Sequence, residues 1–355
     1  MRVGIYTPYL DSFGGGERYM LTIAEILSSN NRVDLLLDRH LQVLITEEVK
    51  KNLGERFNLD LSKVNLIEAP IGANSGFWRK LFFLRKYDLL FYLTDGSIFY
   101  STAKKNILHF QVPFKNTVTN SFWGRIKLLS WNLAICNSKF TQSIIEKEWP
   151  IKSQVLYPPV EVEVIEPLAK KKQILSVGRF ASFSKSKKHE EMIKAFGDLF
   201  HSGKIDGWGL HLAGSIEGSE DYIAELKNLA EGLPVTFYPN IPFKDLKRLF
   251  GESSIYWHAA GYGEEDPTQM EHFGIATVEA MAGGCVPIVI NQGGQTEIVE
   301  NETSGYLWNQ VNELKVLTVK VIMDHSLWQK LSANAIKRSK NFSKKTFEED
   351  ILKIV

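Results

Sequence analysis

The chain has 355 residues, of which 44% are hydrophobic and 23% are charged, so it holds enough apolar material for more than one domain. Its 42 Lys and Arg residues nearly balance 41 Asp and Glu residues, which argues against a dedicated nucleic-acid-binding protein. The sequence begins with a strand-like segment rather than a signal peptide, and no uncharged apolar run is long enough to span a membrane.

Short apolar runs rich in Val, Ile, Leu and Tyr recur along the first half, in the order RVGIYTPYL, RVDLLL, VNLIEAP, YDLLFYL, NILHFQV, LAICNS and QVLYPP. Such nearly continuous apolar runs are typical of strands buried on both faces of a parallel sheet. The segment GERYMLTIAEILSS instead predicts a helix, since one apolar stripe contains Tyr19, Met20, Ile23, Ile26 and Leu27. Residues 1–165 are therefore predicted to form an α/β, Rossmann-like domain.

The same pattern restarts after YPPVEVEVIEPLAKKK. The strand-like runs QILSVG, GLHLAG, VTFYPN, SIYWHA and VPIVIN alternate with the helix-like runs HEEMIKAFGDLF, DYIAELKNLAEG, DLKRLF and IATVEAMAGG. Residues 166–342 are predicted to form a second Rossmann-like domain that faces the first across a central cleft. A last helix over residues 343–355 is expected to have Ser343 as its N-cap and Phe347, Ile351 and Leu352 on one face.

Two loops that follow first strands are candidates for ligand contact, because parallel sheets bind ligands at the carboxyl ends of their strands. In DSFGGGERY, the residues Gly14, Gly15 and Gly16 allow close backbone approach, although this run matches neither a P-loop nor the dinucleotide fingerprint. A plain tight turn is the alternative, and we favour the ligand-facing interpretation.

The second loop, SVGRFASFSKSKKHEEMIKAF, places several cations before a helix, where the helix dipole opposes them unless an anion lies between. A diphosphate would resolve this conflict. We assign that contact to Arg179 and Lys187, and we interpret Lys185 and Lys188 as solvated charges.

The segment MEHFGIATVEAMAGG contains two carboxylates, Glu271 and Glu279, on either side of a helix expected to begin near Gly274 or Ile275. Main-chain N–H groups around Phe273 to Ala276 would then be available to bind phosphate. The two carboxylates could form a hydrolase-like acid and base pair, or they could serve different parts of one ligand. For Glu271, a helix-capping role is a further alternative.

Several of these motifs together resemble the retaining glycosyltransferases of family 4, which have the GT-B fold. The resemblance rests on the VGRF…K loop, the paired glutamates of EHFGIATVEAMAGGCVPIV and the following GGQTEIV. It covers essentially the whole chain, including the glycine loop, the CNSKFT segment and a final helix that in such enzymes crosses back to the N-terminal domain. The form EHFGI resembles the branch that contains mannosyltransferases of lipid-linked glycan assembly.

This resemblance implies roles for individual residues. Glu271 would lie near the anomeric carbon of the donor sugar, and Glu279 would accept hydrogen bonds from ribose hydroxyls. His109 would hydrogen-bond the donor sugar, with simple packing as the alternative. The implied catalytic residues are Glu271, His109, Arg179 and Lys187, and the implied donor-binding residues are Gly14, Gly15, Gly16, Arg179, Lys187, His272, Phe273, Gly274, Ile275 and Glu279.

The expected donor is a nucleotide-diphosphate sugar, GDP-mannose or a UDP-sugar, and the expected acceptor is a glycan or lipid-linked glycan. No cofactor and no metal are expected, because the sequence contains no Asp-x-Asp motif and Arg179, Lys187 and a helix start would supply positive charge. In the resembled family the leaving phosphate helps to deprotonate the acceptor. The rival functions are a sugar-nucleotide epimerase, a phosphorylase, and a catalytically silent glycan-binding module.

Two segments, GFWRKLFFLRKY and NSFWGRIKLLSW, combine aromatic residues with cations. They belong to a basic stretch between Phe77 and Lys152 that holds 12 Lys or Arg against 4 Asp or Glu. These segments predict peripheral contact with an anionic membrane, with ordinary amphipathic helices as the alternative. We expect a cytoplasmic location, either free or on the inner face of the membrane, without nucleic acid as a partner.

Overall fold

The structure is a computed structural model that describes residues 1–8, 10, 14–38, 41, 46–71, 76–182, 185–216, 218 and 220–355. Within these ranges the chain separates into two compact units. The first contains Met1–Pro159 together with Phe347–Val355, and the second contains Val160–Thr346. The division lies a few residues before the predicted boundary after residue 165. Each unit is built on its own sheet.

Seven strands form the sheet of the first unit. They are β1 (Arg2–Tyr6), β2 (Arg32–Leu37), β3 (Val64–Glu68), β4 (Leu89–Leu93), β5 (Lys105–Phe110), β6 (Leu133–Cys136) and β7 (Ser153–Val155). Their order is β3-β2-β1-β4-β5-β6-β7, and each neighbouring pair is parallel. The chain moves outward in one direction from β1 and then in the other from β4, which creates a topological switch point between these two strands.

Helices connect these parallel strands. They are α1 (Gly15–Ser28), α2 (Glu47–Phe57), α3 (Phe77–Leu84), α4 (Phe122–Leu129) and α5 (Lys139–Glu148). The five residues of the predicted α1 stripe are all buried, as expected for a helix that covers a sheet. Every residue of β4 is buried as well, which confirms that its continuous apolar run marks a strand covered on both faces.

The second unit repeats this design with six strands. They are β8 (Lys171–Val177), β9 (Gly209–Gly214), β10 (Val235–Pro239), β11 (Ser253–His258), β12 (Val286–Ile290) and β13 (Tyr306–Trp308). The order is β10-β9-β8-β11-β12-β13, all parallel, so a second switch point lies between β8 and β11. The three-residue edge strand β13 has no counterpart among the predicted strands, because so short a run shows no period.

The helices of the second unit are α6 (His189–His201), α7 (Glu220–Leu229), α8 (Phe243–Glu252), α9 (Ile275–Ala282), α10 (Gln295–Ile298), α11 (Val311–Met323) and α12 (His325–Ser339). One apolar core joins residues of these helices to the sheet, with Trp257 and Trp308 among its fully buried side chains. Both units therefore have the predicted α/β, Rossmann-like architecture.

The last helix, α13 (Lys344–Ile354), carries apolar residues into the core of the first unit. Phe347 and Ile351 are buried there, and the ring of Phe347 lies 5.1 Å from that of Tyr19. Ser343 caps the helix as predicted, since its Oγ accepts the N–H of Thr346 at 3.1 Å. The prediction for Leu352 was wrong: this side chain is exposed, because residues five apart lie on different faces of an α-helix.

Candidate active site

The carboxyl edge of the second sheet brings several charged and polar side chains together at its switch point. Strand β8 ends immediately before Gly178 and Arg179, and the neighbouring β11 ends at His258. Open parallel sheets bind ligands in the crevice at such a point, where two loops diverge.

An ion pair joins the two loops. Lys187 Nζ donates to Glu271 Oε2 at 2.6 Å, across 84 positions in the sequence. The aliphatic part of Lys187 lies over Gly178, where a Cβ would come within 2.9 Å of Lys187 Cγ. The absence of a side chain at residue 178 thus allows the lysine to cross the strand end and reach the carboxylate.

His258 completes this cluster. Its Nε2 lies 3.2 Å from the same oxygen, Glu271 Oε2, while its Nδ1 has no hydrogen-bond partner among the described residues. Burial lowers the pKa of His258, although the carboxylate partly opposes this effect. The imidazole is therefore neutral near pH 7, and the tautomer with a proton on Nε2 can donate to Glu271.

The charge of Glu271 follows from its neighbours. Burial alone would raise the pKa of this carboxyl group, but the Lys187 ammonium and the hydrogen bond with His258 hold the pKa well below its usual range. The side chain keeps 21% of its surface exposed, so a ligand can still reach it. Because the carboxylate stays ionised, Glu271 can accept hydrogen bonds but cannot act as a proton donor near pH 7.

The main chain around Glu271 is held by the loop after β12. The N–H of Gly294 donates to the carbonyl of Glu271 at 2.8 Å. At Gly293, which has φ +59°, a Cβ would collide with the same carbonyl group. The GGQTEIV motif thus has a local function here, since two successive glycines allow this loop to pack directly against the backbone that carries Glu271.

Helix α9 begins where the sequence predicted. Gly274 is its N-cap with φ +119°, and a Cβ at this position would collide with Gln295 Nε2. Gln295 is fully buried, and its Oε1 accepts the hydroxyl of Thr277 at 2.9 Å. The N–H groups of Thr277 and Val278 donate to the carbonyl of Gly274. The first two N–H groups of α9, those of Ile275 and Ala276, have no partner within the helix and are suited to bind an anion.

The other residues predicted in this segment occupy distinct positions. Glu279 lies in the second turn of α9 and is buried, and its charge helps to raise the pKa of Tyr256, for which burial is the main cause. Phe273 is buried with its ring 5.5 Å from Phe342, so only its backbone is suited to contact a ligand. His272 is partly buried, and burial lowers its pKa.

The cations of the preceding loop differ in their surroundings. Arg179 is exposed beside the strand end. Lys185 pairs with Glu190 at 2.8 Å, and Lys188 pairs with Glu264 at 2.5 Å, so both have partners away from Glu271. Phe183 and Ser184, which belong to the same predicted loop, lie outside the described residues.

The glycine loop of the first unit is tightly packed at its helical end. The N–H of Gly14, the N-cap of α1, donates to the buried carboxylate of Glu17 at 2.8 Å. Gly15 is exposed, whereas a Cβ at Gly16 would collide with the side chain of Gln111. Residues 11–13 of this predicted loop lie outside the described residues.

His109 has a different environment from the one predicted. Its side chain is fully buried on β5, its Nδ1 lies 3.2 Å from the carbonyl oxygen of Ile135, and its ring stacks on Tyr19 at 3.9 Å. Burial lowers the pKa of His109 to about 3, so the ring is neutral. A sugar cannot reach a fully buried ring, and this placement favours the packing alternative. Gln111, two residues later, is the partly exposed polar side chain beside the glycine loop.

Two negative findings apply to the described part of the chain. No three His, Cys, Asp or Glu side chains in it lie close enough together to hold a metal ion. None of the helices in these ranges is long and apolar enough to cross a membrane.

The chain has two parallel sheets, and each sheet has a switch point. The second sheet also has an ionised cluster beside the start of a helix. These features define a class of two-domain α/β proteins suited to bind an anionic ligand. The model of one family, glycosyl transferases group 1, matches residues 161–338, which is half of the chain and nearly all of the second unit. The chain belongs to this family of glycosyl transferases.

Relatives of this chain include proteins named GDP-Man:Man(3)GlcNAc(2)-PP-Dol alpha-1,2-mannosyltransferase. The Xenopus laevis protein is 30% identical over 254 residues, which cover 65% of this chain and 49% of that protein. The Homo sapiens protein is 28% identical over 274 residues, which cover 66% of this chain and 53% of that protein. The chain thus spans about half the length of these curated relatives.

Solved structures with the same fold include HepE from Anabaena in complex with UDP and glucose, with a TM-score of 0.70 and 18% identity over 100% of this chain and 99% of that one. A glycosyltransferase from Rickettsia africae has a TM-score of 0.75 and 17% identity over 99% of this chain and 97% of that one. At these identities the likeness concerns the fold alone. The predicted GT-B fold is confirmed, and so is the prediction that the chain is a glycosyltransferase.

Two features of the site were not predicted from the sequence. The first is the direct pairing of Lys187 with Glu271, which were predicted to contact different parts of the donor. The second is the contact of His258 with the same carboxylate, since the sequence indicated only that this histidine, at the end of a strand next to the switch point, could line the cleft. Gln295 was quoted within a motif but was given no role.

Proposed function

We propose that this chain transfers a hexose, mannose in particular, from a nucleotide-diphosphate sugar to a glycan or lipid-linked glycan. The observation that carries this proposal is the cluster of Lys187, Glu271 and His258 at the switch point of the second sheet, beside the start of α9. The family supports the reaction class, and the names of the relatives support GDP-mannose as donor and a lipid-linked glycan as acceptor.

Lys187, Arg179 and the first N–H groups of α9 would hold the diphosphate. The ammonium group of Lys187 carries three protons, and Glu271 uses one of them in the structure. The others remain available to phosphate oxygens, so the ion pair does not prevent donor binding. In transfer, these groups would stabilise the negative charge that develops on the leaving phosphate.

Glu271 would accept a hydrogen bond from the donor sugar, because its pKa is held low and it remains ionised. Glu279 would accept hydrogen bonds from the ribose. We propose retention of configuration: the bond between the anomeric carbon and the phosphate oxygen breaks, and the acceptor oxygen bonds to that carbon on the same face. The proton of the acceptor hydroxyl passes to the leaving phosphate, which balances the reaction without a metal or cofactor.

Ligand-dependent stabilisation tests the donor site. The thermal midpoint should rise with GDP-mannose and GDP, by mass action, in the presence of excess chelator. UDP and UDP-glucose serve as the matched alternatives, and a larger rise with these would replace guanosine by uridine as the base. Glu279→Ala should weaken GDP binding, so GDP affinity equal to wild type in this variant would contradict the ribose role.

Product analysis tests the reaction. With GDP-mannose and a lipid-linked glycan, the expected product is an α-linked mannoside formed in chelator, with its configuration read by NMR. Conversion of GDP-mannose into a different GDP-hexose without any acceptor would indicate an epimerase, and turnover that requires inorganic phosphate would indicate a phosphorylase. Activity that is lost in chelator and restored by a divalent ion would overturn the metal-independent mechanism.

A further inference from the structure

The first unit exposes an unusual group of apolar side chains on two short helices. Of the six Phe and Trp side chains that are exposed in the described part of the chain, five lie on α3 and α4. Their exposed fractions, with that of Leu129, run from 58% to 83%. We call these residues and the cations between them the α3–α4 surface, and its apolar members are Phe77, Trp78, Phe82, Phe122, Trp123 and Leu129.

The two helices present these residues in the same way. Each begins with a Phe-Trp pair whose rings meet edge to face, at 5.4 Å for Phe77 and Trp78 and 5.7 Å for Phe122 and Trp123. A buried leucine on each helix, Leu84 or Leu128, packs inward instead. The aromatic pairs are therefore not part of the core, and exposing them has a cost in hydration that a partner would remove.

The helices belong to one surface, because a single short segment contacts both. Thr102 Oγ1 donates to the carbonyl of Leu81 on α3 at 2.6 Å, and the N–H of Ser101 donates to Ser130 Oγ at the end of α4 at 3.0 Å. The pKa of Lys80 is lowered by burial and further by the charge of Lys127, so the cations of the two helices lie near each other.

Positive charge surrounds the aromatic residues. Residues 76–87 and 121–131 contain no Asp or Glu. Five cations of these segments are exposed, and none of them forms an ion pair with any residue that the structure describes: Arg79, Arg85, Lys86, Arg125 and Lys127. The cores of protein interfaces are depleted in charged residues, whereas tryptophan beside cations without an ion pair suits the boundary between lipid headgroups and acyl chains.

We infer that the α3–α4 surface docks on an anionic membrane. The exposed aromatic rings enter the headgroup boundary, and the unpaired cations face anionic lipid headgroups. This inference does not depend on which nucleotide sugar the chain binds, because all of the residues involved lie in the first unit and outside the proposed donor site. Docking would hold the chain at the surface where a lipid-linked acceptor is found.

Vesicle binding of the full chain tests the inference. Wild type should sediment with vesicles of phosphatidylcholine and phosphatidylglycerol, much less with phosphatidylcholine alone, and less as salt rises. Replacing three cations (R79Q, R125Q and K127Q) should lower the partition coefficient on anionic vesicles at least about tenfold. Brominated lipid should quench tryptophan fluorescence in wild type, and W78A with W123A should abolish most of that quenching.

A matched control comes from the second unit. Phe243 is exposed at the start of α8 and is followed by the exposed Lys244, so the variant F243A with K244Q removes the same chemistry elsewhere. This control should bind vesicles as wild type does. Thermal midpoints without ligand, and the shift caused by GDP-mannose, should be equal in all variants, which separates docking from folding and from the proposed donor site.

Three results would overturn the inference: equal binding of wild type to neutral and anionic vesicles, no binding to either, or binding of the three-cation variant that equals wild type. Wild type could instead fail to bind vesicles and form dimers, and the double variant W78A with W123A could be monomeric. In that case the α3–α4 surface would be a contact between protein chains. In that case the donor-induced thermal shift would remain, so the proposed function would stand.

Discussion

The carboxyl edges of the two sheets offer a direct comparison, because each lies at the switch point of a parallel Rossmann-like unit. At the second edge, Lys187, Glu271 and His258 form a charged cluster that is partly open to solvent. At the first edge, His109 is neutral and fully buried against Tyr19. The same topology therefore carries a cluster of linked charges in one unit and close packing in the other, so topology alone does not decide where charged side chains meet.

The two histidines show what distinguishes these edges. Burial lowers the pKa of both, and each has one ring nitrogen without a hydrogen-bond partner among the described residues. The partner of His109 is a backbone carbonyl, whereas that of His258 is an ionised carboxylate, itself paired with a lysine. A site is better recognised by linked charges than by a buried histidine with a shifted pKa.

The largest expected effect is on catalysis at the second edge. Lys187→Ala should lower kcat/KM by about 30- to 1000-fold, because a charge-assisted contact to the leaving diphosphate is worth about 2–4 kcal/mol in the transition state. Initial rates with GDP-mannose measure this change. Lys185→Ala is the matched control from the same loop and should change the rate less than about twofold. Comparable losses in the two variants would show that the loop acts only through its overall charge.

A smaller effect is expected on stability at the start of α9. Gly274→Ala places a side chain at φ +119° and against Gln295, so we expect a loss of more than about 2 kcal/mol in the free energy of unfolding. Gly203→Ala is the control, since Gly203 has φ +69° with open space around it and should lose about 1 kcal/mol. Urea denaturation measures both. Equal losses of unfolding free energy in the two variants would mean that the Gln295 side chain moves aside at little cost and does not fix the start of α9.

The smallest effect on activity is expected at the first edge. His109→Phe keeps an aromatic ring on Tyr19, so the transfer rate at neutral pH should stay within about twofold of wild type. If the variant folded but were inactive, this result would instead support the prediction that His109 contacts the donor sugar.

The same variant should change the acid sensitivity of stability. The pKa of His109 is lowered from 6.5 to about 3, so the unfolded chain takes up a proton first as the pH falls. The contribution of the neutral ring to the free energy of unfolding is therefore fully present above pH 6.5, and it decreases progressively as the pH falls below that value. Between pH 6.5 and 5, wild type should therefore lose stability faster than His109→Phe, by about 1.4 kcal/mol per pH unit at most. Parallel pH profiles would contradict the pKa assignment.

Much of the fold could be predicted because each signal is local. Continuous apolar runs marked β4 and β12, and glycine before an apolar helix marked the start of α9 at Ile275. The three-residue β13 was missed because three residues are too few to distinguish a strand pattern from chance, and Leu352 was placed on the wrong face by grouping it with nearby apolar residues.

The site was less predictable because its central contacts are not local. Lys187 and Glu271 are 84 positions apart, and neither segment contains a pattern that indicates a contact between their side chains. His109 and Gln111 are both polar residues near the end of β5, and the sequence gives no indication that the first is buried while the second lies beside Gly16. Such distinctions depend on packing in three dimensions.

The return of α13 to the first unit has a consequence for synthesis on the ribosome. Residues 1–159 emerge first, but Phe347 and Ile351 complete the apolar core that contains Tyr19. These residues leave the exit tunnel only after the whole of the second unit, Val160–Thr346, has been made, so the first unit lacks part of its apolar core throughout that time. The unit that begins first is thus the last to be completed, and the apolar surface it exposes during that delay favours aggregation.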